Sequence, residues 1–185
     1  MDEIHFRNKY RVTTTRAAWH NYNGGAYFIT ICTKNRIPYF GEIYDNEMHL
    51  SLIGNYTQQQ LQNISSHYSF AEIPLWVVMP NHLHTIVLID HNNIPYELRN
   101  VEAFHGTPLR GEKSITYATQ MQSWLSVVIR QFKQSITHFA IQNKISFEWQ
   151  RKFHDRIIRN TKEMNVIARY IELNVSKWEY DRFYV

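Results

Sequence analysis

Two histidines separated by one residue, His82-Leu83-His84, carry the first chemistry legible in this 185-residue chain. They sit in the run Trp76-Val-Val-Met-Pro-Asn-His-Leu-His-Thr-Ile-Val-Leu-Ile89. It reads as two apolar strands, Ile73 to Met79 and His84 to Ile89, joined by a Pro-Asn corner. Side chains alternate along a strand, so both imidazoles share one face, roughly 7 Å apart, within reach of one divalent cation. Ile86 and Leu88 fall on that face, and Leu83, Thr85, Val87 and Ile89 on the other. Two largely apolar faces describe a central strand covered on both sides. Spacing alone fits a metal site or two hydrogen-bonded structural histidines. Placement on a rigid strand beside a turn favours the metal.

The rest of the composition is that of a folded globular protein, 44% hydrophobic and 15% aromatic, of a length suited to a single domain over 1–185. No run of about 18 apolar residues occurs and the N-terminal residues lack a signal-peptide core, so a soluble, cytoplasmic protein with no membrane partner is expected. Cys32 is the only cysteine. That excludes an intramolecular disulfide and a cysteine zinc cluster, and its apolar strand makes it an inert buried thiol. The formal net charge of +4 is compatible with a polyanionic partner without specifying one.

The elements that must position the histidines follow from pattern. Residues 1–22 read as a basic N-terminal arm. Ala26 to Thr33 is a β-branched and aromatic strand, and Phe40 to Leu50 a hairpin turning at Asp45-Asn46. Ile53, Tyr56, Gln60, Leu61 and Ile64 mark a helix from Ile53 to about Ser65. Residues 91–120 form an aperiodic, polar insertion loop expected to be mobile. Leu125, Val128, Ile129, Phe132, Ile136, Phe139 and Ala140 make the apolar stripe of a helix from Gln122 to Gln142, with Arg130, Lys133, Gln134 and His138 facing away. Ser146–Gln150 and Phe153–Ile158 suggest a further strand or turn. Asn160 and Glu163 are the N-cap and third position of a last helix over about 161–175. The order is that of an α+β domain, a ferredoxin-like antiparallel β-sheet packed with α-helices.

Three stretches carry a family resemblance. Val78-Met-Pro-Asn-His-Leu-His84 is similar to the signature of the HUH single-tyrosine transposases. Phe147 to Asn160 (Phe-Glu-Trp-Gln-Arg-Lys-Phe-His-Asp-Arg-Ile-Ile-Arg-Asn) and Tyr170-Ile-Glu-Leu-Asn174 resemble later motifs of the REP-associated tyrosine transposase branch. The likeness spans roughly Gly24 to Trp178. It implies an enzyme that cuts and rejoins single-stranded DNA beside a hairpin through a 5′-phosphotyrosine, with Tyr170 as nucleophile. It also implies His82 and His84 as metal ligands, with the amide of Asn174, one turn after Tyr170, as the third. Imidazole, amide and water ligands favour Mg²⁺ or Mn²⁺. One departure stands out: the branch places Pro after this Asn, and here Val175 follows, leaving the last turn free to run on and re-aim Asn174. A domesticated hairpin-DNA-binding protein without cleavage is the alternative, and relatives leave both homodimer and monomer open.

Arg130, Lys133, Arg151, Lys152, Arg156 and Arg159 concentrate positive charge ahead of the tyrosine helix. They are candidates for neutralising DNA phosphates. Trp149 and Phe153 could stack unpaired bases, or Trp149 could belong to the core. His154 and Asp155 lie in the matched motif without an assigned role.

Overall fold

The structure, a computed structural model, describes residues 24–95 and 123–184. The expected N-terminal arm and residues 96–120 of the expected loop lie outside the described residues. Residues 91–95 do not extend that loop: they form a 3-10 turn, His91–Asn93, and Ile94 beyond it is 1% exposed in the main core. An apolar side chain ties this segment down where its polar composition had suggested mobility.

Four strands form one antiparallel sheet. They are β1 (Gly25–Cys32), β4 (Ala71–Met79), β5 (His82–Ile89) and β6 (His154–Ile158), in the spatial order β4-β5-β1-β6. That is the ferredoxin-like order, with the first strand between the third and the fourth of the sheet. β2 (Gly41–Tyr44) and β3 (Glu47–Leu50) are a separate hairpin. Its turn residues Asp45 and Asn46 both have positive φ, 52° and 61°, as a two-residue turn matched to strand twist requires. β5 begins at His82, two residues earlier than pattern suggests, because Pro80-Asn81 closes a tight turn and Met79 pairs with His82.

The sheet has two unlike faces. Tyr27, Ile29, Ile31, Leu83 and Val87 point into the main core. There they meet Ile53 and Leu61 of α1 (Leu52–Gln62) and Leu125, Val128, Ile129, Phe132 and Ile136 of α3 (Trp124–Gln142). The expected first helix is therefore two pieces: α1 stops at Asn63 (φ −94°, ψ 4°) and α2 (Ile64–His67) completes it. On the opposite face Ile86 and Ile158 pack against Ile167 and Ile171 of α4 (Thr161–Glu172). The partition is the one the alternation of β5 implies. α4 starts as anticipated, with the Asn160 side chain accepting from the Glu163 N–H at 2.9 Å. Glu163 reaches back to the Arg159 N–H at 3.0 Å, one residue before the cap. No helix among the described residues is long and apolar enough to cross a membrane.

Candidate active site

The site lies on the α4 face of the sheet. Register places Cys32 opposite His82, Thr30 opposite His84 and Phe28 opposite Ile86, so the central strands present both histidines beside Thr30 and Phe28. Each imidazole is turned inward by a hydrogen bond behind it. Asn81 Oδ1 stands 2.8 Å from His82 Nδ1, and the Asn81 amide nitrogen donates to the Phe183 carbonyl at 2.8 Å. An amide oxygen only accepts, so the His82 proton resides on Nδ1 and Nε2 offers a lone pair. Thr30 Oγ1 lies 2.8 Å from His84 Nδ1 and fixes that ring in the same sense, while Phe28 stacks on it with centroids 5.2 Å apart. The two Nε2 atoms then face one another at 3.1 Å.

Tyr170 closes the site from α4. Its hydroxyl is 3.1 Å from His84 Nε2 and 3.4 Å from Asp181 Oδ2, and its ring is 42% exposed. The chain does not stop after α4. It continues through Asn174, itself helical (φ −64°, ψ −42°), into a 3-10 turn, Val175–Tyr180, and returns across the histidines. Trp178 and Phe183 cover His82, with ring centroids 6.0 and 4.5 Å from the imidazole. Asp181 is held in place by the Phe183 N–H, which donates to its Oδ1 at 2.7 Å. Asn174 is buried; its Nδ2 lies 3.4 Å from Asp181 Oδ2, and its Oδ1 has no hydrogen-bond partner.

Electrostatics follow from this enclosure. Burial, then the nearby charges of Arg182 and Arg36, hold the His82 pKa down at about 3. Burial, then His82 itself, does the same for His84. Both rings are neutral at pH 7, the protonation state a metal ligand needs. The Tyr170 phenol is raised above its ordinary value, first by burial and then by the Asp181 carboxylate. Burial likewise raises the Cys32 thiol, in keeping with an inert side chain.

The residues fit a divalent cation. His82, His84 and Asp181 each offer a ligand atom, all within 4.8 Å of one another. Two nitrogens 3.1 Å apart would subtend roughly a right angle at an ion with bonds of about 2.1 Å. The buried Asn174 Oδ1, without a partner, is the kind of oxygen such an ion satisfies. Asp181, Asn81 and Thr30 escaped sequence reasoning. Asp181 lies past the last periodic element, and Thr30 becomes visible only once the β1–β5 register is known. Asn81, beside His82 in sequence, was open to notice.

The basic residues do not form one surface. Arg130, Lys133 and Arg151 line a cleft of about 540 Å³ together with Phe153, on the α3 side. Lys133 does not face away: it is half-buried, donates to the Gln150 carbonyl at 2.7 Å, and its pKa is lowered by burial to about 8. Trp149 donates to the Lys133 carbonyl at 3.1 Å and packs between Phe40, Phe132 and Phe147, so it serves the core. Arg156 is exposed on β6, opposite Phe28, and pairs with Glu163. Arg159 is exposed at the start of α4. His154, opposite Thr30, shares the site's face of the sheet, whereas Asp155 points to the other.

A ferredoxin-like sheet thus carries a His-Leu-His strand beneath a tyrosine-bearing helix. The chain is 34% identical to an uncharacterized protein of Haemophilus influenzae, over 98% of its own length and 95% of the relative's. It is 25% identical to another Haemophilus influenzae protein, assigned by name to the REP-associated tyrosine transposases, over 87% and 81% of the two chains. Its fold matches a solved REP-associated tyrosine transposase bound to a REP hairpin, with a TM-score of 0.53, 20% identity, and coverage of 91% of this chain and 77% of that one. No family model matches. The chain is thus similar to REP-associated tyrosine transposases in sequence and shares their fold.

Proposed function

We propose that the protein is a DNA-processing enzyme that cleaves and rejoins single-stranded DNA at hairpin-bearing sites, with Tyr170 as nucleophile. The observation that carries this reading is the Tyr170 hydroxyl standing 3.1 Å from His84 Nε2, itself 3.1 Å from His82 Nε2. A phenol, two neutral imidazoles and a carboxylate thus border one gap that solvent reaches past the exposed ring. His82, His84 and Asp181, joined by Asn174 Oδ1, would hold Mg²⁺ or Mn²⁺. That ion would supply charge stabilisation to the scissile phosphate and to the departing 3′-oxygen.

The chain's own groups do the rest. Tyr170 Oη attacks phosphorus, the bond from phosphorus to the 3′-oxygen breaks, and the leaving 3′-oxygen takes a proton from solvent to become a hydroxyl. The phenol's proton passes to solvent. As it stands the phenol is a poor nucleophile, because burial and Asp181 disfavour its anion. Holding a cation with Asp181 would remove the second of these. The product ester on Tyr170 keeps the phosphodiester's energy, so attack by a 3′-hydroxyl rejoins DNA without a nucleotide cofactor. Arg130, Lys133, Arg151, Arg156 and Arg159 lie outside this gap, and their proposed task is to bind phosphates of the hairpin.

The test is incubation with hairpin DNA carrying a single-stranded flank and Mn²⁺. A denaturant-resistant adduct is expected, placed on Tyr170 by mass spectrometry and lost in Tyr170→Phe. Cleavage that persists in Tyr170→Phe would mean a water nucleophile and end this reading.

A further inference from the structure

Beside the phenylalanine that covers His82 lies positive charge that the cleavage chemistry above leaves unused. Asn35 and Arg36, in the turn after β1, both have left-handed backbone, φ 55° and 58°. Such geometry costs a non-glycine residue energy and persists where surrounding structure imposes it. Here the turn aims Arg36 at the end of the chain. Its Nη1 donates to the Arg182 carbonyl at 3.0 Å, and its guanidinium lies 5.2 Å from the centre of the Phe183 ring. The Arg182 guanidinium lies 4.6 Å from the same centre. That ring is 4.5 Å from the His82 imidazole.

Both arginines are exposed, and among the described residues the ion pairs are Lys34 with Glu148 and Arg156 with Glu163. Neither guanidinium is therefore paired with a carboxylate among the described residues. Arg36 also lines a cleft of about 550 Å³ with Lys34, Glu148 and Arg151. The cleft opens past the end of β1, where Cys32 pairs with His82. Lys34 and Glu148 neutralise each other at 2.5 Å, leaving Arg36 and Arg151 as its net charge. A volume in the range of small-ligand sites, roughly 300–1,000 Å³, suits one strand and not a duplex.

We propose that Arg36 and Arg182 grip a phosphodiester adjoining the one cleaved at the His82–His84 gap, and that the cleft behind Arg36 seats the single strand running on from it. This rests on the proposed function for the identity of the strand. Guanidinium forks suit phosphate oxygens, and Phe183 holds both forks at the rim of the site.

The experiment uses the full chain and two fluorescent DNAs, a single strand without secondary structure and a blunt hairpin without flank, titrated by anisotropy across a NaCl series. Each phosphate contact on a single strand contributes about 0.7 to the slope of log affinity against log salt. At 0.1 M salt that is about fivefold in affinity per contact. The double variant Arg36→Gln/Arg182→Gln is expected to bind the single strand about 25-fold more weakly, with the slope reduced by about 1.4, and to bind the blunt hairpin as the wild type does. Arg36→Lys/Arg182→Lys should keep the slope, because charge and not packing on Phe183 is the working property. Unchanged strand binding in the glutamine variant, no strand binding by the wild type, or equal loss in both variants overturns the proposal. Absence of a Tyr170 adduct with hairpin DNA would instead overturn the proposed function, while the strand titration still decides the two arginines.

Discussion

The buried histidine pair makes metal-free protein acid-sensitive in a window set by its own burial. Both pKa values are held near 3, against about 6.5 in the unfolded chain. Between those values the unfolded state binds protons that the native state refuses, so stability falls as pH falls below about 6.5. Each proton bound by the unfolded chain alone costs about 1.4 kcal/mol of stability for every pH unit of acidification. From pH 7 to pH 5 the loss is about 2 kcal/mol for each ring and about 4 kcal/mol for the pair. For a domain of this size 1 kcal/mol moves Tm by about 2–4 °C, giving a drop of roughly 8–16 °C. Glu163, whose pKa is lowered chiefly by the Arg159 N–H, gives up its contribution only as pH falls through the ordinary carboxylate range and below, mostly outside this window. The assay is differential scanning calorimetry in EDTA at pH 7, 6 and 5, on wild type and on His82→Asn/His84→Asn. The wild type should lose the calculated amount beyond whatever the double variant loses. Mn²⁺ at pH 6 should raise the wild-type Tm, since an ion on neutral imidazoles competes with the proton. Equal pH dependence in the two proteins, or a wild-type Tm that ignores both pH and Mn²⁺, would refute the assignment of two neutral, inward-facing rings.

Three further outcomes follow from single contacts. Asn81→Ala and Thr30→Val remove the groups that orient the imidazoles, and each should weaken Mn²⁺ binding by about 10–100-fold in calorimetric titration while the fold persists. Gly54→Ala ought to stabilise α1 by about 1 kcal/mol on helix propensity; here the added Cβ would meet the Phe40 carbonyl oxygen at 2.1 Å, so Tm should fall, by the equivalent of about 1–3 kcal/mol. Val175→Pro introduces the residue usual in the transposase branch that this chain resembles but disfavours the helical conformation of the residue before it; the expected result is weaker Mn²⁺ binding and an amide 174 released from Asp181, read as a shift of its side-chain NMR resonances.

What was legible in the chain was whatever depends on short-range periodicity. The β5 alternation Leu83, Val87 against His82, His84 sorts the sheet's faces correctly, because a strand buried on both sides leaves its parity no freedom. The Asp45-Asn46 turn and the Asn160 cap were readable for a related reason, since each satisfies its backbone within four residues. Where competition between environments decides, pattern was silent. Lys133 sits on the polar side of its helix by spacing, yet Trp149 folds beneath that helix and the Gln150 carbonyl draws the ammonium inward. Nothing local encodes that Trp149 belongs to the Phe40 and Phe147 cluster rather than to a base.

Position 175 shows how a correct observation about sequence can carry the wrong physical weight. The missing proline suggested an overlong helix that would carry Asn174 off target. α4 instead ends at Glu172, capped by Leu173, whose N–H reaches the Arg169 carbonyl at 3.1 Å. Val175 is the first residue of the next turn, a place where proline's missing N–H costs little. The consequence of valine lies one residue earlier, in permitting Asn174 the helical φ and ψ that a following proline would oppose. Held so, Asn174 stays buried beside Asp181, and the chain turns through Trp178 to lay Asp181 and Phe183 against the histidines. The residue that departs from the pattern of the branch resembled is thus the one whose backbone freedom lets the segment after α4 bring the Asp181 carboxylate to the histidines.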